Sequence, residues 1–589
     1  MSNNQSVISR RNLLKNVAGP SAAAMLLPST LWSQEQKAVS PSRAQTTLQL
    51  PVLSQPDMML VFAGDVQAPR VQLSRSGTEW TASTGASGTR ISFVAGHRQS
   101  AISLESPTIP IQRVHLRWKC KFDPGVLALG DAWERSYGDL EWKPLQAERV
   151  MPWYAMLHLQ QQTAGMGVKT GAASFAFWQV DPDGISLWLD VRNGANGVQL
   201  GNRKLVMATI VEYVADADES SFSATRHLCR LMAEGIKIPQ KRGDTFVDVI
   251  YGSNDWYYAY GRNTADRLLR DADLVKSLAP SGGPKPFTVI DDGYQDRSRF
   301  PDIPRLASDI RSRGVIPGIW IRPLQAATTV PANLLLPNAR CKNDGRKPPL
   351  AYDPTIPEAL NAVAAVADQA CAWGFDLIKH DFTTFELFGL WGSEMGASPT
   401  QGNWHFNNRT LTNAEIVTLL YTRLRSSCGE DRVILGCNTI GHLSVGLFDA
   451  SRTGDDVSGR EWERLRRTGV NTLAFRLPQH KTFFTLDPDC IPFTPDLPWS
   501  MTRQWLQAVA NSGTVLLLSA DTRALGKDQL DAMREAFELC VHKPDSQPLN
   551  WMDGRTPSAW RSSTGPETYS WILEEGESPF PIGIPRGPD

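Results

Sequence analysis

The sequence predicts a multidomain α/β protein with an N-terminal antiparallel β-sandwich, a central (β/α)8 barrel of the TIM type and a small C-terminal β domain. Short runs of alternating apolar and polar residues fill the first part of the chain. Short apolar runs then alternate with helical patterns, and strand-like runs return near the end. Alternation with period two is typical of half-buried antiparallel strands, whereas strands separated by helices form parallel sheets.

The bulk composition is that of a globular protein with two or three domains. The chain has 589 residues, of which 41% are hydrophobic and 21% charged, and its net charge is -1. A partner held through nucleic-acid phosphates requires a basic surface, so this charge balance argues against nucleic acid. The 19 tryptophans are compatible with sugar binding, although most tryptophans belong to protein cores.

The start of the chain, residues 1–44, predicts a twin-arginine export signal and a linker. Arg10 and Arg11 precede a short Ala-rich apolar run that Pro20 and Pro28 interrupt. This run is too short to remain in a bilayer, and no later segment is long and apolar enough to span one. We therefore expect a periplasmic or secreted protein whose mature form has no membrane contact.

The predicted domain limits follow the changes of pattern. The sandwich covers residues 45–220, a helical linker covers 221–241, the barrel covers 242–535 and the C-terminal β domain covers 536–589. The predicted barrel strands are FVDVIY, FTVIDD, VIPGIWI, FDLIKHDF, RVILGC, VGLFDAS, NTLAF and TVLLLS. A doubly wound open sheet is the alternative, but no GxGxxG turn follows the first strand.

Two charges interrupt the apolar strand FDLIKHDF. Lys379 and Asp381 are two residues apart, so we expect them on the same face of the strand. A buried salt bridge costs about as much free energy in desolvation as it returns, which makes a purely structural pair a weak explanation. The two residues are therefore a candidate functional site.

Polar residues also collect at the ends of other predicted strands, where the active site of such a barrel lies. Each has an ordinary alternative, because DDG can be a turn, TGDD a helix cap and a cysteine a small buried residue. Their joint occurrence favours a polar pocket. The residues are Asp255 and Trp256 after the first strand, Asp291 and Asp292 after the second, Trp320 and Arg322 at the third, Cys437 and Asn438 after the fifth, and Arg452, Asp455 and Asp456 after the sixth.

Paired carboxylates without a metal or cofactor motif suit the hydrolysis of a glycosidic bond. The eight cysteines form no CxxC pair and no Cys/His cluster, so we expect no metal and no cofactor. One carboxylate must be ionised to attack the anomeric carbon, and Lys379 would hold Asp381 in that state. The other must carry a proton for the leaving oxygen, and the loop with Asp455 and Asp456 is its predicted source.

The motifs IDDGYQ, GVIPGIW and LIKHDF, in this order, resemble those of the clan D retaining α-glycosidases, chiefly glycoside hydrolase family 36, with weaker similarity to families 27 and 31. ALGDAWERSYGDLEW before the barrel looks like the domain-linking segment of that family. NSGTVLLLSADTRALG and PLNWMDGRTPSAW extend the resemblance to most of the mature chain. The resemblance implies the fold and the chemistry of a retaining α-galactosidase.

The resemblance also implies a role for each candidate residue. Asp381 is implied to be the nucleophile and Asp455 the acid/base, with Asp456 as the alternative because its spacing from Arg452 fits as well. The remaining residues are implied to bind substrate: Asp291 and Asp292 at the C4 and C6 hydroxyls, Lys379 at hydroxyls beside the nucleophile, Trp256 and Trp320 as pocket walls, Cys437 and Asn438 near the 2-position, and Arg452 and Asp456 beside the substrate.

Three positions depart from the family pattern. His380 stands where relatives usually carry Trp or Tyr, Arg322 belongs to WIRP where many have WIEP or WTAP, and Asn438 replaces a small residue. We expect these residues to lie beside the pocket, where they affect the preferred sugar more than the reaction.

The leading hypothesis is an exported, retaining exo-α-galactosidase that acts on an oligosaccharide or glycoside. The alternatives of the same family are an α-N-acetylgalactosaminidase and an α-galactosyl transglycosidase. The alternative from another class is a carbohydrate-binding protein without catalysis. Members of the family often form homo-oligomers, and the sequence does not fix the number of subunits.

Overall fold

The structure is a computed structural model, and it describes residues 48–64, 66–67, 73–84, 88–342 and 347–573. The predicted export signal lies outside the described residues. Within them the chain is a multidomain α/β protein, with a β-rich N-terminal region, a curled parallel sheet and a small C-terminal sheet. No helix in this part of the chain is long and apolar enough to cross a bilayer.

Two antiparallel sheets form the N-terminal region, and their buried rings meet where Phe93 of one packs edge-on against Trp118 of the other, with ring centroids 6.1 Å apart. The first sheet has six strands, in spatial order Met151–Pro152, Phe175–Asp181, Gly184–Asp190, Arg113–Lys119, Met58–Ala63 and Val66–Gln67. The second has nine, in spatial order Leu73–Ser76, Glu79–Thr84, Thr89–Val94, Gln99–Ser106, Gly201–Val214, Gln162–Val168, Tyr154–Leu159, Leu127–Gly130 and Lys143–Pro144.

The central sheet has nine parallel strands in the spatial order β7-β6-β5-β4-β3-β2-β1-β9-β8. In chain order they are β1 (Tyr251–Asn254), β2 (Phe287–Ile290), β3 (Ile316–Ile321), β4 (Leu377–His380), β5 (Val433–Gly436), β6 (Ala450–Arg452), β7 (Thr485–Asp487), β8 (Cys490–Phe493) and β9 (Leu516–Ala520). Only Pro488 and Asp489 separate the two edge strands along the chain. The sheet therefore curls, and the carboxyl ends of its strands surround one mouth.

The predicted seventh strand, NTLAF, is wrong, because Thr472–Arg476 is helical. A buried apolar run of five residues does not distinguish a strand from a helix. The real strands β7 and β8 read TLD and CIPF, and the prolines and aspartates in and between them disfavour a strand prediction. The predicted first strand FVDVIY also lies too early, since only Tyr251 belongs to β1.

Helices separate most of the central strands and pack around the curled sheet. The helix Asn413–Cys428 begins with a capping box in which Thr412 and Glu415 bond each other's backbone. The α-helices are Ser221–Met232, Trp256–Ala259, Ala265–Leu278, Ile303–Ser312, Pro357–Ala372, Thr383–Phe388, Gly392–Met395, Asn413–Cys428, Gly441–Ser444, Trp462–Leu465, Thr472–Arg476, Trp499–Ser512 and Lys527–Val541. A π-helical stretch covers Arg466–Asn471, and 3-10 turns cover Ala332–Leu334, Asn338–Arg340, Leu477–Gln479 and Thr522–Ala524.

Two further antiparallel elements flank the central sheet. A ribbon precedes it, formed by Lys241–Arg242 and Thr245–Phe246, and a three-stranded sheet follows it, formed by Ser546–Pro548, Ala559–Ser562 and Gly565–Thr568. The helix Lys527–Val541 runs across the limit predicted at residue 535. The domain limits themselves stay predictions.

Asp449 joins the ribbon, a helix and two strands at the side opposite the mouth. Its carboxylate, fully buried before β6, accepts hydrogen bonds from Arg242 Nε at 2.7 Å and Arg425 Nη2 at 2.6 Å. The amide of Ile434 in β5 donates to it at 2.8 Å. One carboxylate therefore balances two buried guanidinium groups.

We expect Asp449→Asn to lower the free energy of unfolding by about 3–5 kcal/mol, because it leaves the buried Arg425 without its anionic partner and Arg242 with only the exposed Glu430. Urea denaturation followed by circular dichroism measures this loss. Glu430→Gln is the matched control, since Glu430 also pairs with Arg242 but is 80% exposed, and we expect it to change stability little. Equal losses in both variants would contradict the prediction.

Candidate active site

Asp381 follows β4 at the mouth of the curled sheet. Its Oδ2 accepts a hydrogen bond from Trp320 Nε1 at 2.9 Å, and its Oδ1 accepts the amides of Phe382 at 2.7 Å and Asn438 at 3.0 Å. All three partners are neutral N–H donors, which orient a carboxylate group. Phe382 has a φ of 64°, a conformation that costs a non-glycine residue free energy and that aims the preceding carboxylate.

Lys379 is not the partner of Asp381, which corrects the sequence-based expectation. Its Nζ lies 2.7 Å from Asp291 Oδ2, and both side chains are buried. The alternation rule identified the shared face of the strand but not the partner, because Asp291 approaches from β2. Burial lowers the pKa of Lys379, but the charge of Asp291 outweighs this effect and raises it well above its usual value.

A second layer of polar residues supports Asp291. Asn254 Nδ2 donates to Asp291 Oδ2 at 2.8 Å. The backbone amide of Asp291 donates to Asp255 Oδ1 at 2.8 Å. Burial and the nearby charge of Asp291 raise the pKa of Asp255 to about 8. Asp292 is half-buried beside this layer, and burial raises its pKa as well. The structure thus places Asp291 in contact with Lys379, and the amide of Asp292 donates to Asp291 Oδ1 at 2.9 Å.

Arg452 connects the residues of β5, β6 and the edge of the sheet. Its Nη1 lies 3.2 Å from Cys437 Sγ, and its Nη2 lies 2.6 Å from Asp489 Oδ2 and 3.2 Å from Asp456 Oδ1. Tyr257 Oη also donates to Asp489. The structure therefore brings three of the predicted residues together, and Asp489 is the anion that balances Arg452.

The two neighbouring aspartates after β6 differ in their surroundings. Asp455 is engaged through both oxygens, with Arg135 Nη2 2.7 Å from Oδ1 and Arg464 Nη2 3.6 Å from Oδ2. In the part of the chain that the structure describes, Asp456 has ion-pair partners only at Oδ1, and 37% of its side chain is exposed. Desolvation raises the pKa of Asp456, but the surrounding cations, led by Arg135 and Arg452, outweigh this effect and lower it to about 2.

A segment of the N-terminal region reaches this site. The backbone amide of Asn438 donates to Asp381, and its side-chain Nδ2 donates to Glu134. Its Oδ1 accepts a hydrogen bond from the amide of Phe385 at 3.0 Å. Glu134 is buried, and it also accepts hydrogen bonds from Tyr137 Oη and, at 2.9 Å, from the amide of Gly392. Asn438 therefore links the candidate nucleophile to the N-terminal sheets.

Aromatic rings border Asp381 on one side. Phe382 lies edge-on to Trp320 and to Trp391, with centroids 6.2 and 5.7 Å apart. Trp391 stacks on Phe385 at 4.4 Å. Trp256, the other predicted wall, lies at the end of β1 and packs against Tyr260 at 5.7 Å.

His380 does not lie beside the pocket, which is a second correction. Its ring packs edge-on against Tyr421 and Phe448 on the helix side of the sheet, with centroids 5.9 and 5.5 Å apart. Successive side chains of a strand point to opposite faces, so His380 faces away from Lys379. Arg322 does lie near the mouth, where it pairs with Glu386 at 2.7 Å and stacks over Phe382.

Sequence reasoning missed three charged residues of the site. Asp489 follows a strand that the pattern did not predict. Glu134 and Arg135 belong to the segment DAWERSYGD, for which the resemblance to family 36 predicts only a link between domains. They lie about 300 residues before Cys437 and Asn438 along the chain, so only the fold brings them together.

No model of a protein family matches the sequence. Solved structures do match. The α-galactosidase of Thermus thermophilus, in complex with p-nitrophenyl α-D-galactopyranoside, aligns with a TM-score of 0.54 and 18% identity over 84% of this chain and 100% of that one. The family 36 α-galactosidase AgaB of Geobacillus stearothermophilus aligns with a TM-score of 0.56 and 12% identity over 86% of this chain and 76% of that one. The chain shares the fold of these α-galactosidases. The predicted resemblance to family 36 is thereby confirmed for the fold.

The raised pKa of Asp255 predicts a pH-dependent loss of stability. An aspartate in the unfolded chain releases its proton near pH 3.9, whereas Asp255 in the folded chain keeps it until about pH 8. The group therefore favours folding fully below pH 3.9. Its contribution falls by about 1.4 kcal/mol per pH unit as the pH rises towards 8.

Asp255→Asn removes this titration. From pH 5 to pH 8 we expect the wild type to lose stability relative to Asp255→Asn. Urea denaturation at each pH measures the two free energies of unfolding. Asp266→Asn, at an exposed aspartate of the following helix, is the surface control. A difference that stays constant across this range would contradict the prediction.

Proposed function

We propose that the chain is a retaining exo-α-galactosidase of glycoside hydrolase family 36, built on a β-sandwich and a (β/α)8 barrel. The observation that carries the proposal is Asp381, a carboxylate held by three N–H donors at the mouth of the sheet, with two further aspartates two strands away after β6. Glycoside hydrolysis requires two carboxyl groups that flank the scissile bond, and here carboxylates lie at one mouth. The shared fold with α-galactosidases supports the same activity class.

In this proposal Asp381 is the nucleophile. From the described residues its Oδ2 accepts one hydrogen bond, from Trp320, and it is the oxygen with capacity left for attack on the anomeric carbon. The double displacement forms a covalent glycosyl-enzyme, which water then hydrolyses with retention of the anomeric configuration. Asp291, Asp292 and Lys379 bind hydroxyls of the sugar ring, because acceptor-only carboxylates pair with O–H donors and an ammonium pairs with hydroxyl oxygens.

We assign the acid/base role to Asp456, whereas the sequence alone favoured Asp455. Both oxygens of Asp455 are engaged by guanidinium groups, while Asp456 Oδ2 has no ion-pair partner among the described residues and its side chain is partly exposed. A bound sugar that covers the exposed part of Asp456 adds to the desolvation of its charged form. That desolvation moves its pKa up, towards the range in which it can donate a proton.

Transfer of galactose to a second sugar is the second candidate reaction. The stacked pair Phe385 and Trp391, next to Phe382 and the nucleophile, supports it because half-buried rings can hold an acceptor sugar. The 2-position of the sugar, near Cys437, decides between galactose and N-acetylgalactosamine. We also propose that the chain is exported through its N-terminal arginine pair and acts in the periplasm or outside the cell.

A screen of aryl α-glycosides that differ only at C2 and C4 tests the substrate class. We expect cleavage of the galactoside, and proton NMR of the first product should show the α-anomer, because two displacements retain the configuration. Asp381→Ala should lower kcat/KM by about 10⁴-fold or more. Product analysis at high substrate concentration separates transfer from hydrolysis.

His380→Tyr is the control for this screen, since His380 lies on the opposite face of β4 and should affect stability more than specificity. A β-anomer as the first product would contradict retention. Full inactivity of the wild type on all the glycosides, with retained binding of sugars, would favour a binding protein.

Azide rescue separates Asp455 from Asp456. With an activated leaving group, Asp456→Ala should still form the glycosyl-enzyme, since departure of that group needs no proton, and then accumulate it. Azide restores turnover and enters from the face opposite the nucleophile, so we expect α-galactosyl azide. With Asp381→Ala, azide takes the place of the nucleophile and should give the β-azide.

Asp455→Ala is the matched comparison in this experiment. We expect it to lose activity on activated and unactivated glycosides to a similar extent, without azide rescue, because it acts on the position of the loop. Rescue of Asp455→Ala with the α-azide as product would reverse the two roles.

A further inference from the structure

The segment 131–139 of the N-terminal region pairs with the loop that carries Asp455 and Asp456. The amide of Ser136 donates to Thr453 O at 2.9 Å, and the amide of Asp455 donates back to Ser136 O at 2.8 Å. At Gly454 between them, a Cβ would lie 2.2 Å from the carbonyl oxygen of Thr468, so the loop is closely packed on its other side. The loop is thus held between two backbones.

Arg135 extends this contact into the candidate site. Its side chain is only 6% exposed, and Nη2 lies 2.7 Å from Asp455 Oδ1. Its Nη1 lies 3.5 Å from Asp456 Oδ1 and 3.8 Å from Cys437 Sγ. The guanidinium also lies over the ring of Trp391 at 5.5 Å. One side chain of the N-terminal region therefore touches both candidate acid/base residues.

The ion pairs and hydrogen bonds of the Arg135 side chain go to the central sheet, while in its own segment its guanidinium lies over the ring of Tyr137 at 5.9 Å. Within the described residues, every ion pair and hydrogen bond of its side chain is with Cys437, Asp455 or Asp456, while its buried Nε has no partner. A buried guanidinium is costly, and a core could contain an apolar residue at lower cost. Stability of the N-terminal region alone therefore does not explain Arg135.

We propose that Arg135 is a positioning residue of the glycosidase site, which fixes the Gly454–Asp456 loop and makes the N-terminal sheets part of the catalytic unit. This inference rests on the proposed function, because the loop matters as the source of the acid/base. The planar fork of an arginine can contact both carboxylates at once, which the single ammonium of a lysine cannot do.

Two variants separate the geometry of Arg135 from its charge. Arg135→Lys keeps the positive charge but loses the fork, so we expect kcat to fall by about 10–100-fold with little change in KM and in the pH profile. Arg135→Gln also loses the charge that lowers the pKa of Asp456. The basic limb of kcat/KM should then move to higher pH by about one unit or more.

The test uses the full chain and p-nitrophenyl α-galactoside, with hydrogen exchange of residues 453–457 as a second readout. Both Arg135 variants should show faster exchange of this loop. Arg117→Gln is the matched control, because Arg117 pairs with Asp181 at 2.6 Å within the N-terminal sheets and should leave kcat and the loop unchanged.

Wild-type kcat, an unchanged pH limb and unchanged exchange in Arg135→Gln would overturn the inference. Should Arg135→Gln fail to fold, Arg135→Lys tests the inference. Wild-type kcat and unchanged exchange of residues 453–457 in that variant would overturn it. Should the wild type cleave no glycoside, the proposed function fails, and loop exchange in the two variants still decides whether Arg135 positions the loop.

Discussion

The site depends on the pairing of buried cations at the strand ends. Lys379 is balanced by Asp291, Arg452 by Asp489 and Arg135 by Asp455. A buried charge without a partner costs several kcal/mol, so each of these pairs is fixed once the chain is folded. Because these cations pair with other anions, the hydrogen bonds that Asp381 accepts within the described residues come from neutral N–H donors.

This distribution of partners suits a nucleophile better than the direct ion pair expected from the sequence. An ammonium bound to Asp381 would stabilise the carboxylate before attack, and that interaction would weaken as the negative charge passes to the new bond. The N–H groups of Trp320, Phe382 and Asn438 instead fix direction. A carboxylate held in a fixed direction needs less reorganisation to reach the anomeric carbon.

The sequence predicted most residues of the candidate site but not how they pair with one another. Asp291, Lys379, Asp381 and Arg452 could be predicted as site residues from their positions at strand ends, because a parallel sheet brings the carboxyl ends of its strands to one edge. Alternation along one strand cannot show which residue of another strand approaches, so Asp291 was missed as the partner of Lys379. Asp489 was missed because its strand is broken by proline.

The N-terminal contribution was out of reach for a related reason. Patterns of apolar residues report which face of an element is buried, but not which distant loop covers it. Glu134 and Arg135 carry no periodic signal, and their partners lie about 300 residues later in the chain. The resemblance to family 36 marked the segment as a connection between domains and gave no role to its side chains.

Asn438 shows why the two regions act together. Its backbone holds the candidate nucleophile and its side chain holds Glu134, while Glu134 and Arg135 are neighbours in one segment. Arg135 in turn holds the loop with Asp455 and Asp456. A displacement of this segment therefore acts on both candidate carboxylates at once, and in the proposed mechanism the N-terminal region sets the relative position of the two groups that the reaction requires.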